Sequence, residues 1–427
     1  MNTAKDREKR LTLNEPANPK FFYGYVVVFA SFCILMLAWG IFLSFGVFFE
    51  SVLIEFGWAR ATISAAYALA ILISGLLSIG MGRLNDRFGP RLVMTGCGIS
   101  LGLGYLLMSQ ISALWQLYIL YGVLIAIGMS GTFVPLSSTI AHWFIKRRGI
   151  MTGIIVAGQG LGILIIPHIV SQLIAAYNWR TSYIIVGIIA LVLLLLVAQL
   201  LKRNPGQIGQ LPYGESERGK NSLSPKVRGF SLQASIHTRQ FWMLCTIFLA
   251  FFFCLGVISV HIVIHSTGLG VPATTAASIL GIIGGASIFG RIIMGSAGDR
   301  IGNRLAFIIG FILIVTALLW LAVAKETWML FLAAIIFGFG YGGLLALLSP
   351  MTAELFGLRS HGVILGVLIF VGGVGDAIAS VLAGRIFDIT SSYQLAFLIS
   401  AAIAIIGTLM TFFLRPIHQE GLISNRR

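Results

Sequence analysis

Apolar residues in this chain arrive in unbroken blocks, neither alternating with polar ones nor recurring as one helical stripe. A helix rises about 1.5 Å per residue, so about 20 apolar residues cross the hydrocarbon of a bilayer. Twelve blocks reach that length, at approximately 24–49, 62–82, 92–111, 114–139, 150–175, 181–201, 241–265, 273–298, 304–323, 327–354, 362–387 and 394–414. The pattern predicts an all-α membrane protein of twelve transmembrane helices. Its expected parts are an N-terminal tail (1–20), a six-helix bundle (21–201), a linker (202–239), a second six-helix bundle (240–415) and a C-terminal tail (416–427).

Composition removes the alternatives. Hydrophobic residues make up 58% of the chain, charged ones 10%, and mean hydropathy is +0.96; soluble proteins carry about 25% charged residues. A soluble enzyme, a secreted scaffold and a disordered chain are excluded. The 50 glycines suit membrane helices whose backbones approach closely. Cys33, Cys97, Cys245 and Cys254 all lie in apolar blocks and read as small hydrophobes. The first apolar block runs at spanning length after a charged segment, so no cleavable leader is expected.

The net charge of +15 is explained by topology. With the N-terminus inside, most of the 29 basic residues fall on the cytoplasmic side, whereas Arg60, Arg180 and Lys325 are the basic residues of the outer loops. Both termini are therefore expected in the cytoplasm and the chain in the inner (plasma) membrane, its basic side on anionic head groups. No nucleic-acid partner is expected.

A single offset of 213 residues, the separation of Asp86 from Asp299, superimposes the two halves. Gly82, Asp86, Arg87, Gly89 and Arg91 match Gly295, Asp299, Arg300, Gly302 and Arg304. Gly149, Gly153, Gly160 and Gly162 match Gly362, Gly366, Gly373 and Gly375. Two pseudo-symmetric bundles in parallel orientation follow, an arrangement of carriers that rock around a central site.

The stretch Gly82-Arg83-Leu-Asn-Asp86-Arg87-Phe-Gly89-Pro-Arg91, with its copy at 295–304, resembles the signature loop between helices 2 and 3 of the major facilitator superfamily. Its glycines permit close packing and a tight turn, and Asp86 can meet a helix N-terminus and a basic partner. Together with Asp299 and Arg300, these residues form a candidate conformational latch. Within that superfamily, Trp143-Phe-Ile-Lys146-Arg147-Arg148 through Gly153 to Gly158, Phe22-Tyr-Gly24-Tyr25 and the Asn204–Gly214 segment look like the monocarboxylate-transporter branch, which contains the oxalate–formate exchangers.

Polar residues deep in the blocks that break the repeat are candidates for the cargo site. Arg291 corresponds to Ser78, Asp376 to Ile163 and His261 to Phe48. Arg291 lies eight residues before Asp299, about 12 Å inside the boundary. Its insertion costs at least about 2.5 kcal/mol. A planar fork at that depth suits a carboxylate, and the resemblance implies that an arginine here binds substrate. It could instead pair permanently with Asp376. Asp376 and His261 are candidate proton-coupling groups, and His261 a substrate contact as well. Ser287, one turn from Arg291, and Phe133, Tyr341 and Tyr121 complete the candidate substrate-binding set; Phe133 and Tyr341 sit on Gly/Pro-interrupted helices. His168, beside Pro167, reads as structural at a helix end.

There is no phosphate-binding loop and no metal or nucleophile constellation, so no enzyme, cofactor, metal or ATP-driven pump is expected. The resemblance implies a secondary active carrier of small monocarboxylates (lactate- or pyruvate-like), with proton symport, alternating access and a functional monomer. The alternatives are an organic-anion exchanger of the oxalate–formate type and a non-transporting membrane sensor.

Overall fold

The computed structural model describes residues 21–58, 60–214 and 229–415. Residues 1–20 and 416–427, expected as tails, and 215–228 of the expected linker lie outside the described residues. Among the described residues, twelve helices are long and apolar enough to span a membrane: α1 Gly24–Phe49, α2 Ala65–Phe88, α3 Pro90–Met108, α4 Leu114–Trp143, α5 Arg148–Ala176, α6 Trp179–Ala198, α7 Arg239–Gly268, α8 Ser278–Ile301, α9 Asn303–Val323, α10 Thr327–Phe356, α11 His361–Phe387 and α12 Gln394–Phe413. They form two six-helix bundles, α1–α6 and α7–α12.

Glycine determines where backbones meet. In the first bundle, Gly40 of α1 and Gly162 of α5 lie backbone to backbone, and Gly158 packs on Phe32. In the second, Gly290 of α8 rests on the Phe339 carbonyl of α10, and Gly342 on Ser287. A methyl at any of these positions would enter another helix's backbone. Helix association in lipid relies on this van der Waals fit, because lipid tails are as apolar as the side chains they replace.

Several local expectations need correction. The Gly82–Arg91 stretch is mostly helix. The helix containing α2 runs Arg60–Phe88, and the turn is Gly89 alone, at φ 87°. Its copy behaves alike: the helix containing α8 ends at Ile301 and Gly302 turns at φ 89°. This left-handed region costs glycine no steric penalty, and Pro90 then opens α3 with φ already set for a first turn. Pro350 does not interrupt α10, which is continuous over Thr327–Phe356. The break in α4 is at Gly131 and Thr132, preceded by a π-helical stretch over Tyr118–Ile125. His168 is not at a helix end; α5 carries Pro167 inside Arg148–Ala176.

The segments resembling the monocarboxylate branch are structural ties. Phe22 packs edge-on against Trp143 and Phe144 at 5.7 and 5.5 Å and tilts on Tyr213. Trp143 Nε1 donates to the Lys202 carbonyl at 2.9 Å. Arg148 donates to the carbonyls of Phe144 and Ala141, satisfying the last turn of α4. At the opposite end, Glu55 accepts hydrogen bonds from Arg180 and Trp179 at 2.6 Å each.

Candidate functional site

The two bundles meet along two related seams, α2 against α11 and α5 against α8. Both close at the end of the molecule that carries the Gly89 and Gly302 turns. Gly82 lies on the Gly362 backbone and Gly149 on the Gly295 backbone. The expected latch carboxylates sit here. Asp299 accepts the N–H groups of Gly149 and Ile150 at 2.7 and 2.8 Å. Asp86 accepts those of Gly362 and Val363 at 3.3 Å each. Each carboxylate thus caps the N-terminus of a helix from the other bundle, where unsatisfied N–H groups and the helix dipole favour negative charge.

The basic half of the expected latch differs. Among the described residues, Asp86 has no ion-pair partner; Arg203 instead donates to its backbone carbonyl. Arg83, Arg87 and Arg300 are exposed, with Arg87 lying 5.1 Å over the Phe88 ring. Arg91 bonds Gln199 at 2.7 Å, away from α11.

Further along the α5–α8 seam is Arg291, 1% exposed. Its backbone carbonyl packs on Gly153. Its Nη1 crosses between bundles to donate to the Val156 carbonyl at 2.9 Å. That carbonyl belongs to α5's own ladder, and its second lone pair takes the arginine. A Cβ at Gly160 would lie 2.5 Å from Arg291 Nη1, so glycine there makes room for the guanidinium. On the other side Tyr341 places its hydroxyl 3.5 Å from Nη2 and its ring 5.7 Å from the guanidinium carbon. Nε has no protein partner. Arg291 is therefore a buried cation that meets a carbonyl, a hydroxyl and an aromatic face, with no carboxylate beside it among the described residues.

Asp376, the expected alternative partner, is elsewhere. Its carboxylate packs on Gly256 of α7 and lies within electrostatic range of Tyr67 on α2. A permanent Arg291–Asp376 pair is ruled out in this conformation. His261 is buried and fully engaged: Nε2 lies 2.9 Å from the Ser380 carbonyl and Nδ1 3.1 Å from the Tyr393 hydroxyl. The Ser380 carbonyl can only accept, so Nε2 carries a proton. Ser287 is one turn from Arg291, but its hydroxyl donates to the Gly284 carbonyl of its own helix. Tyr121 donates to the Phe42 carbonyl at 2.8 Å within a stack that includes Phe42 and Phe45. Phe133 is half-buried against the first bundle's core. Of the expected set, the structure brings Tyr341 to Arg291 and holds Tyr121, His261 and Asp376 on other helix contacts.

Sequence reasoning missed four groups. Val156 contributes only a carbonyl and leaves no side-chain signal. Gly160 was legible as a repeat glycine but not as the seat of the arginine. Gln159 Oε1 and Trp39 Nε1 are buried without a protein partner. Both are polar positions inside apolar blocks, the signal that marked Arg291.

Comparison with known proteins agrees with this architecture. The family model of the Major Facilitator Superfamily matches residues 27–296 and 269–427. The chain belongs to that superfamily. It is 27% identical to monocarboxylate transporter 13 of Rattus norvegicus over 392 residues, covering 90% of this chain and 87% of the relative. It is 27% identical over 374 residues to the oxalate:formate antiporter of Oxalobacter formigenes, covering 84% of each. These relatives match the monocarboxylate-transporter-like branch of the superfamily. The crystal structure of the Escherichia coli fucose:proton symporter FucP superimposes with a TM-score of 0.71 at 14% identity, covering 92% of this chain and 100% of that one. That likeness concerns the fold.

Proposed function

We propose that this superfamily member is a secondary carrier of small monocarboxylates of the lactate and pyruvate type, working by alternating access with a co-transported proton. One observation carries the reading. Arg291 is buried at the bundle interface with its Nε unbonded and, among the described residues, no carboxylate paired with it. A guanidinium at that depth is costly to leave uncompensated, and a substrate carboxylate completes it with charge-assisted hydrogen bonds. Tyr341 supplies one wall and a hydroxyl to the bound acid.

Charge balance supports the proton. One anion carried without compensation moves net charge across a potential worth about 2.3 kcal/mol per 100 mV. Asp376 is the proton stop, because among the described residues no cation pairs with it to hold it charged. His261, engaged at both nitrogens, ties α7 to α11 and acts on Asp376 through the position of α11. The carrier works as a monomer in the inner membrane, with the Gly89 and Gly302 turns cytoplasmic.

The seams are closed at the turn end, whereas Gly281, Gly284, Gly285 and Gly373 have open space where a side chain would stand. We read this conformation as outward-facing. The Asp86 and Asp299 caps hold it, and they must break for the inward-facing state to form. Anion exchange is the competing reading, favoured by the likeness to the oxalate:formate antiporter.

Uptake of labelled lactate into proteoliposomes separates the two. Symport predicts uptake into vesicles without internal substrate, driven by external acid, abolished by a protonophore and flattened in pH dependence by Asp376→Asn. Uptake that ignores the protonophore and requires preloaded anion establishes exchange instead.

A further inference from the structure

Arg91 takes no part in the seam. Arg91 occupies the repeat position of Arg304, but the two behave differently. Arg304 is used inside its bundle: its guanidinium donates to the Thr411 and Phe412 carbonyls at the end of α12. Arg91 donates from Nε to Gln199 Oε1, a side chain near the end of α6. It stands on the wall of a cleft of about 570 Å³ between the start of α3, the end of α6 and the first residues of the linker.

The cleft's chemistry is one-sided. Its charged lining residues are Arg91, Lys202 and Arg203, with no carboxylate among the lining groups. Thr95 and Gln199 add hydrogen-bonding groups. Lys202 is held with Nζ 4.4 Å over the Tyr23 ring, and Arg203 is anchored by the carbonyls of Asp86 and Arg87. The cations are thus fixed before any ligand arrives. The rim is apolar: Phe88 and Leu92 are 51% and 63% exposed. In a membrane protein such side chains face acyl chains.

We propose that this cleft binds the phosphate of an anionic phospholipid, its head group on Arg91, Lys202 and Arg203 and its chains along Phe88 and Leu92. Basic pockets beside membrane helices recognise head groups by this combination of fixed cations and apolar flank. Because Arg203 also holds the last carbonyls of α2, the bound lipid sits one side chain from the Asp86 cap and favours the closed α2–α11 seam.

The test uses the full chain purified in detergent, with phosphatidylglycerol, phosphatidylcholine or inorganic phosphate added. Lipid retention is read by native mass spectrometry and stabilisation by thermal unfolding. Wild type is expected to retain phosphatidylglycerol over phosphatidylcholine. The double variant Arg91→Gln, Lys202→Gln should lose roughly 30-fold of that retention. A charge-matched control outside the cleft, Lys146→Gln with Arg239→Gln, should keep it. Equal retention by wild type and the cleft variant, or equal loss in the control, overturns the site. Stabilisation by inorganic phosphate as strong as by phosphatidylglycerol overturns the lipid as its occupant.

Discussion

The α5–α8 and α2–α11 seams are built on the same repeat and have diverged in one place. Both begin with an aspartate capping the opposite bundle's helix, tighter at Asp299 (2.7 and 2.8 Å) than at Asp86 (3.3 Å twice). Both continue with a glycine on a backbone: Gly153 on Arg291, and Gly366 on Ser78 and Ile79. Then they part. Along α5–α8 the Arg291 side chain fills the space that Gly160 leaves. Along α2–α11 the equivalent Ser78 turns back to the Gly75 carbonyl of its own helix, and the equivalent Gly373 has open space. Symmetry thus supplies a frame that can rock, and the broken symmetry supplies a charged wall on one side and room on the other.

The strongest way to break this comparison is to remove the arginine. Arg291→Ala is expected to reduce uptake by at least about 100-fold, the order of cost for one member of a buried charge pair, while the protein still reaches the membrane. Arg291→Lys should fare little better, since it keeps the charge and loses the fork. Initial rates normalised to surface protein check both.

A sharper test exchanges the seams' glycines. Gly160→Ala places a methyl against the guanidinium, and overpacking of this kind costs about 1–3 kcal/mol, or roughly tenfold in affinity. Gly373→Ala, at the symmetric position, adds a methyl where nothing lies within 4 Å and should leave KM within about twofold. Equal effects would mean that the asymmetry has no bearing on binding.

The caps are expected to rank by geometry. Asp299→Asn should raise accessibility from the turn end more than Asp86→Asn, because its hydrogen bonds are shorter. Cysteine labelling from each side of the membrane measures this, and an unchanged pattern in both would remove the latch from the account.

The smallest effect belongs to the opposite end. The hydrogen bond from Arg180 leads the causes holding the Glu55 carboxyl below its ordinary range. Its contribution is therefore present at neutral pH and lost as pH falls through that lowered value. The pair is exposed, so Glu55→Gln should cost less than about 1 kcal/mol, read as a small drop in Tm at pH 7 that vanishes in acid.

Much of this was legible in the residues. Twelve spans, two parallel bundles and the glycines of the seams follow from apolar block length and one repeat offset, because both are one-dimensional patterns. Arg291 was legible because a cation deep in a span is expensive and rare. What escaped is three-dimensional. The Val156 carbonyl carries no residue-type signal, and nothing in Gly160 distinguishes a packing glycine from one that seats a guanidinium. Asp376 and Arg291 were natural partners by charge, but their helices hold them apart. The end of α2 was misjudged as loop because Asn, Asp and Arg resemble a turn, whereas Gly89 alone breaks the helix.

If Arg291 is the carboxylate anchor, ligand binding shows it without a transport cycle. Isothermal titration of purified wild type and Arg291→Ala with lactate, and with the uncharged lactamide, isolates the carboxylate contact. The account predicts that lactate binds wild type, that lactamide does not compete, and that Arg291→Ala loses lactate binding. Lactate binding of wild-type strength by a folded Arg291→Ala protein would contradict it.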